Sequence, residues 1–268
     1  YKALPYLFRT AQSLVKNYIF PFNFFEARSL AGAQAWVAGG HLVKQAMLDK
    51  GWTKPGEVLT LAVDTSSFKA LDQDAKVKGR MALGFQGPLL GFLGRLSEEK
   101  GLDLIMKVLS QVKDKAWHFL AMGSGPYGEK IDQWAKEEGL GERVHIRLLK
   151  HDEVPQHLPL CDLLLCPSQT RPFWKEQFGR MIVEAFAAGV PVVASDSGEI
   201  PRVVGKAGTI LPEDQVEPWL ESVKAFLQEP QSFAIHREQG LERAEKFSSR
   251  AIAEQYKNFY QSVLEKKA

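Results

Sequence analysis

The chain is poor in cysteine. Two occur in 268 residues, Cys161 and Cys166, on either side of the run DLLL. Set so close in apolar sequence, they read as small core residues rather than a disulfide framework or a metal pair. Long apolar runs are also missing: none reaches the roughly 18 residues of a membrane-crossing helix. Neither sign of charge dominates, with 34 Lys and Arg against 32 Asp and Glu. A net charge of +2 makes no global case for nucleic acid or a membrane. The six histidines, His41, His118, His145, His151, His157 and His236, are scattered. None makes an H-x-x-x-H pair or stands with a cysteine at metal-ligand spacing. His118 and His145 fall in strand-like runs and read as core or edge residues. There is no G-x-S-x-G elbow of a serine hydrolase, no solenoid repeat and no low-complexity tract.

What is present is ordinary for a globular protein: 45% hydrophobic, 25% charged, and long enough for about two domains. No signal-peptide pattern opens the chain. It begins at Tyr1 inside patterned sequence, the start expected of a fragment that lacks upstream residues.

From Gly87 onward, apolar runs alternate with helical stretches. The runs are PLLGFLG, WHFLAMG, VHIRLL, CDLLLCP, VPVVAS and GTILP. Between most of them lie GLDLIMKVLSQV, GEKIDQWAKEEG, DEVPQHLPL and GRMIVEAFAAG; the connection before GTILP reads as mostly irregular. This alternation predicts right-handed βαβ units and a parallel sheet. The runs are apolar throughout, as expected where helices cover both faces. The fold class is therefore α/β, with a doubly wound, Rossmann-like domain over residues 87–238. Residues 1–66 read as the closing part of another, truncated α/β domain, with helix patterns, a short run AWVA and a strand in VLTLAVD. Residues 67–86 are polar and charged and read as a linker. Two amphipathic helices, VEPWLESVKAFLQ and RAIAEQYKNFYQSVLEKK, close the chain, the second within 239–268. Aromatics mixed with Lys2, Arg9, Lys16 and Arg28 suit packing against missing sequence or a peripheral contact with an anionic membrane surface.

In an open parallel sheet, ligands sit outside the carboxyl ends of the strands, where the strand order reverses. If that order is 3-2-1-4-5-6, the loops after the first and fourth strands meet there. These are GRLSEEKG, with Arg95 and Lys100, and PSQTRPFWKEQFG, with Arg171, Lys175 and Glu176. The helix opening near Gly179 would aim free N–H groups into the same crevice, which attracts phosphate. A planar Arg95 and a point-charge Lys100 suit a diphosphate with no metal. The plainer alternative is that both are solvated loop charges paired with Glu98 or Glu99. Glu184 likewise has two readings. It turns to water or pairs with Arg180, or it accepts the two hydroxyls of a diol such as ribose. Met181 and Ala188 share its side of the helix, which disfavours full exposure. Glu176 is either a simple first-turn acid or a ligand group at the mouth of that helix. Trp174 suits stacking on a sugar face or plain packing.

MGSGPYG matches G-x-G-x-x-G after a strand and before a helix. The acid that should follow the next strand is missing, since VHIRLL leads to Leu149 and Lys150. The motif therefore reads as a tight turn near the ligand rather than a dinucleotide fingerprint.

GRLSEEKG, MGSGP, CPS and EQFGRMIVEAFAAGVPVVAS, in that order, resemble a retaining glycosyltransferase of family 4 with the GT-B fold. The match runs from Leu61 to about Gly208; AVDTSSF is similar to the family's linker signature, and Glu176 to Glu184 fits its E-x7-E motif. The resemblance implies that Arg95 and Lys100 hold a donor diphosphate, with Gly94 and Gln177 in the donor-binding set. Glu176 would bind donor-sugar hydroxyls, helped by backbone amides near Phe178 and Gly179. Glu184 would hold the ribose, and the backbone near Leu149 and Lys150 would face the base. It further implies hexose transfer with retention from a nucleotide sugar to a sugar or lipid-linked acceptor. That transfer would need no metal or other cofactor and would serve polysaccharide or glycoconjugate synthesis. Location would be cytoplasmic, with peripheral contact at the inner membrane face and no nucleic-acid partner; the last helix would cross back to the acceptor half. With most of that half missing, the chain is expected to bind donor weakly and transfer poorly or not at all.

Departures are SGEIPRVVG, with Arg202 where the family often has glutamate, and a longer fourth loop. Rivals are a GT-B epimerase or phosphorylase, a dinucleotide-dependent oxidoreductase and a non-catalytic sugar-binding or scaffold protein.

Overall fold

The computed structural model describes residues 28–29 and 31–265. The pattern ALPYLFRTAQSLVKNYI, and all of the basic aromatic stretch 1–28 except Arg28, lie outside the described residues. The chain divides into two compact units. One holds residues up to Leu61 together with Ile252 onward, the other Ala62–Ala251.

In the first unit β1 (Trp36–Ala38) pairs in parallel with β2 (Gly56–Val58), and α1 (His41–Asp49) connects them. The Trp36 ring lies over Gly56, where an added Cβ would stand 1.9 Å from it. Most of the strand expected in VLTLAVD is absent, since β2 ends at Val58.

The second unit is built on six parallel strands. They are β3 (Leu89–Leu93), β4 (His118–Met122), β5 (Val144–Arg147), β6 (Leu163–Cys166), β7 (Val192–Ser195) and β8 (Thr209–Leu211). Their order is β5-β4-β3-β6-β7-β8, so the direction of winding reverses between β3 and β6. Counted from β3, that is the expected 3-2-1-4-5-6. Each of the six apolar runs of the sequence is a strand.

Strand side chains alternate between two cores, as the period of two requires. Leu89, Leu120, Met122, Leu164, Cys166, Val192 and Ala194 face one core. Leu90, Phe92, Phe119, Ala121, Leu163, Leu165 and Val193 face the other. The first is covered by α5 (Val154–His157), α6 (Arg180–Ala187) and α7 (Ile200–Val204). The second is covered by α3 (Leu102–Ser110), α4 (Gly128–Glu137) and α8 (Val216–Gln228). Continuous apolar runs in the four middle strands thus follow from cover on both faces, while the edge strands β5 and β8 are only partly buried. Cys161 and Cys166 are buried free thiols, and burial pushes the Cys161 pKa up to about 12.

Three helices depart from the expectations. Residues 67–86, read as a linker, contain α2 (Gln73–Ala82), capped by the Asp72 carboxylate, which accepts from Ala75 N at 2.8 Å. Its Lys76 and Arg80 are buried against the start of β6, where Lys76 Nζ donates to the Cys161 carbonyl at 2.9 Å and Arg80 pairs with Asp162. A stretch that looks solvent-facing is therefore part of the second unit. The connection before β8, read as irregular, holds α7. Between the two closing helices lies α9 (Ala234–Glu245), whose Gly240 lets it pack against Phe186 of α6. The last helix, α10, runs from Ser249 to Glu265, and the division between the units falls within it. The segment AVDTSSF is fixed inside the second unit: Val63 N donates to the Phe247 carbonyl at 2.9 Å and Ser249 N to the Val63 carbonyl at 3.1 Å.

Candidate functional site

The loops after β3 and β6 meet where the winding reverses. Gln169 N donates to the Glu99 carbonyl at 2.8 Å, and Arg171 pairs with Glu98 at 3.2 Å. Gly101, at φ 71°, lets the loops touch; a Cβ there would stand 1.9 Å from the Pro167 carbonyl oxygen. Lys100 Nζ donates to Glu176 Oε2 at 2.5 Å and lies 4.9 Å from the centroid of the Trp174 ring. Lys100 is therefore not a solvated charge paired with its own loop, and its ammonium also lies over the Trp174 ring. Glu99 takes the Ser97 hydroxyl instead, at 2.7 Å.

Glu176 is 8% exposed. Besides Lys100 it accepts from the Ser168 hydroxyl at 3.1 Å. Its main chain is fixed by the loop after β7: Glu199 N donates to the Glu176 carbonyl at 2.9 Å. Gly198, at φ 59°, makes that approach possible, since a Cβ there would stand 2.0 Å from the same carbonyl oxygen. Arg95, Lys100, Trp174, Lys175, Glu176 and Gln177 line one small cavity.

Helix α6 opens beside it at Gly179, which has φ 79°, and no side chain caps the helix. Its first N–H groups therefore keep the partial positive charge of a helix start. Phe178 is buried in the first core and packs edge-on against Phe247, with centroids 5.6 Å apart.

Glu184 stands one cavity further along. With Arg180, His151, Asp152, Asp64 and Ser67 it lines a space of about 820 Å³. It is 4% exposed and pairs with Arg180 Nε at 3.0 Å. Burial raises its pKa, opposed by Arg180 and His151. The reading in which it turns to water is excluded, while the Arg180 pair is present. The segment 176–184 thus borders one cavity at Glu176 and Gln177 and the next at Arg180 and Glu184. Gly94 hydrogen-bonds through its N to the Met122 carbonyl at 3.0 Å. Leu149 is partly buried against the first core, and Lys150, exposed, directly precedes His151.

The glycines of MGSGPYG serve loop packing. A Cβ on Gly123 would stand 1.9 Å from the Gly94 carbonyl oxygen, and one on Gly125 2.3 Å from that of Leu96. Leu96 N donates to the Ser124 carbonyl at 2.8 Å and Tyr127 N to the Leu96 carbonyl at 3.0 Å. The motif is a tight turn that supports the Arg95 loop.

Sequence reasoning missed Ser168, Ser197 and Thr170. Ser168 contacts Glu176, and Thr170 Oγ1 and Ser197 Oγ are 3.0 Å apart, tying the fourth loop to the one after β7. Small hydroxyl residues carry no spacing signal.

The family model described as "Glycosyl transferases group 1" matches residues 81–251. The chain belongs to the group 1 glycosyltransferases. Among curated group 1 relatives, the chain is 33% identical over 186 residues to a GDP-mannose-dependent alpha-(1-6)-phosphatidylinositol monomannoside mannosyltransferase of Mycolicibacterium smegmatis. That match covers 66% of this chain and 48% of the relative. The chain spans about half the length of the curated relatives it matches. In fold it is similar to Anabaena HepE, solved in complex with UDP, with a TM-score of 0.77, 23% identity and coverage of 91% and 69%. The C-terminal domain of a group 1 protein, LpcC of Francisella tularensis, has a TM-score of 0.61 and 18% identity, covering 70% of this chain and 99% of that domain. The fold is that of GT-B glycosyltransferases, with a six-stranded parallel sheet in the second unit.

Proposed function

We propose that the second unit binds a nucleotide-diphosphate sugar and that the protein transfers its hexose with retention, as a family 4 glycosyltransferase. The observation that carries this reading is the Lys100–Glu176 pair, set where the winding reverses and beside the uncapped start of α6. Arg95, Lys100 and the N–H groups of α6 supply positive charge for a diphosphate, and no metal is needed for that role. Gly94 and Gln177 complete this end of the site. Glu184, one cavity away along the same segment, accepts the ribose hydroxyls. The main chain at Leu149 and Lys150 faces the base.

In the reaction, the bond from the sugar's anomeric carbon to the diphosphate oxygen breaks, and a bond to the acceptor hydroxyl oxygen forms on the same face. The acceptor proton passes to the leaving phosphate. Negative charge grows on that phosphate, where Arg95, Lys100 and the helix start stabilise it; removing one such donor typically costs about 3–4 kcal/mol of barrier. Glu176 binds donor-sugar hydroxyls, and its pairing with Lys100 holds it in place before the donor arrives.

We assign the acceptor to sugars or lipid-linked sugars, in polysaccharide or glycoconjugate synthesis at the cytoplasmic face of a membrane. The phosphatidylinositol-linked acceptor named for the mycobacterial relative supports the lipid-linked class. Among the described residues, no helix is long and apolar enough to cross a membrane. The test is a thermal-shift panel of UDP, GDP, ADP and their sugars in chelator. One nucleotide diphosphate is expected to stabilise the chain, and the Arg95→Ala, Lys100→Ala double variant to lose the response. An equal response in the double variant would overturn the assignment.

A further inference from the structure

At the other end of the sheet, beside the starts of β3, β6 and β7, the second unit holds another cavity of about 750 Å³. Lys76, Arg80, Arg237 and Asp162 line it, and Asp162 is the only acid among its described lining residues. That acid is already committed. Its Oδ2 accepts from Leu89 N at 2.9 Å and pairs with Arg80, while Oδ1 stands 3.9 Å from Lys76 Nζ. Arg237 gives an N–H to the Leu71 carbonyl at 2.8 Å, and no carboxylate among the described residues pairs with it. Three cations thus face one carboxylate.

Buried cations without a matching anion are costly. Burial lowers the Lys76 pKa, Asp162 opposes this, and Arg237 and Arg80 lower it further. With Lys76 protonated, three cations against one carboxylate give the lining a formal charge of +2. Gln73 and Gln231 add neutral hydrogen-bonding groups, and the exposed side chains of Val77 and Met81 give the wall an apolar part.

We propose that this cavity is a second phosphate site, distinct from the donor loops, that takes a small phosphomonoester with an apolar body. Such a group carries a charge of about −1.5 to −2 at neutral pH, which matches the surplus. The Arg237 guanidinium offers its planar fork to two phosphate oxygens, and Lys76 a point charge.

The test is thermal shift and calorimetry of the 268-residue chain with phenyl phosphate, inorganic phosphate and benzoate. Phenyl phosphate is expected to stabilise the parent and the Arg95→Ala, Lys100→Ala variant alike. Arg237→Gln should raise its Kd about tenfold or more, the usual effect of losing one charge-assisted hydrogen bond. Gln231→Glu changes an exposed rim residue, so the fold is spared, and its added negative charge should weaken binding too. No response in the parent overturns the proposal. So does a response that disappears in the donor-loop variant but survives both cavity variants, or benzoate binding as tightly as phenyl phosphate. Nucleotide diphosphates run in parallel separate the two readings, because their loss with phenyl phosphate retained counts against the donor site alone.

Discussion

Lys100 and Glu176, 76 residues apart in sequence, meet at 2.5 Å where the sheet's winding reverses. Both side chains are largely withdrawn from water. Breaking such a pair from one side strands the other charge and costs about 3 kcal/mol or more. Glu176→Ala is therefore expected to lower the melting temperature of the free protein. In an enzyme that carries its acceptor half, it should also slow transfer by about 10²–10³-fold while changing the affinity for bare nucleotide diphosphate little. Steady-state kinetics alongside calorimetry check this. A variant that loses nucleotide binding and transfer in equal proportion contradicts the sugar-binding role.

Gly198 should tolerate no side chain. At φ 59°, with the Glu176 carbonyl oxygen 2.0 Å from where a Cβ would go, Gly198→Ala must push the Glu176 loop away. The expected cost is about 1–3 kcal/mol from left-handed strain and overlap, with a loss of nucleotide-sugar response. Gly141→Ala, where nothing lies within 4 Å, serves as the control and should be close to neutral in chemical denaturation.

The buried carboxyl of Glu184 gives a pH dependence of known sign. Its pKa is raised in the folded state, by burial first, against Arg180 and His151. The folded protein therefore holds that proton more tightly than the unfolded chain. The group's contribution to stability is full below its ordinary value of 4.5 and is lost as pH rises through the raised value. Glu184→Gln removes the loss. The variant's melting temperature minus that of the parent should grow more positive as pH rises above 4.5 and then level off. A difference that stays flat, or falls, would contradict the burial account.

His118 and His145 predict the opposite trend in acid. Their rings stack with Nδ1 and Nε2 3.3 Å apart, and Phe85 covers them. Burial lowers both pKa values, with Arg143 assisting for His118 and His118 and Arg147 for His145. The neutral pair stabilises the fold above the ordinary value of 6.5, and this is lost as pH falls through the lowered values. His145→Asn should flatten the fall in melting temperature below pH 6.5. An unchanged acid slope would show that the pair does not titrate with unfolding.

The second unit was legible because its middle strands are buried on both faces and its loops carry their charges in compact groups. Periodicity marks all six strands, and an order of 3-2-1-4-5-6, if assumed, puts the loops of Arg95, Lys100 and Glu176 at one crevice. Helix α2 was not legible, since Lys76 and Arg80 look solvent-facing until Asp162, 82 residues from Arg80, neutralises one of them. MGSGPYG is legible as a tight turn because the acid of a dinucleotide fingerprint is missing, but the neighbour its glycines admit is not. That neighbour is the main chain at the Gly94 and Leu96 carbonyls. Ser168, Thr170 and Ser197 act through loop geometry, which no local pattern encodes.

The central claim is that two neighbouring cavities hold two ends of one nucleotide diphosphate. Calorimetry with the preferred nucleoside and with its diphosphate tests it most directly. Glu184→Ala should weaken both ligands by a similar factor, because both carry the ribose. Arg95→Ala with Lys100→Ala should weaken the diphosphate about 100-fold and leave the nucleoside unchanged. The account is contradicted if Glu184→Ala leaves both affinities intact, or if the double variant binds the diphosphate as the parent does.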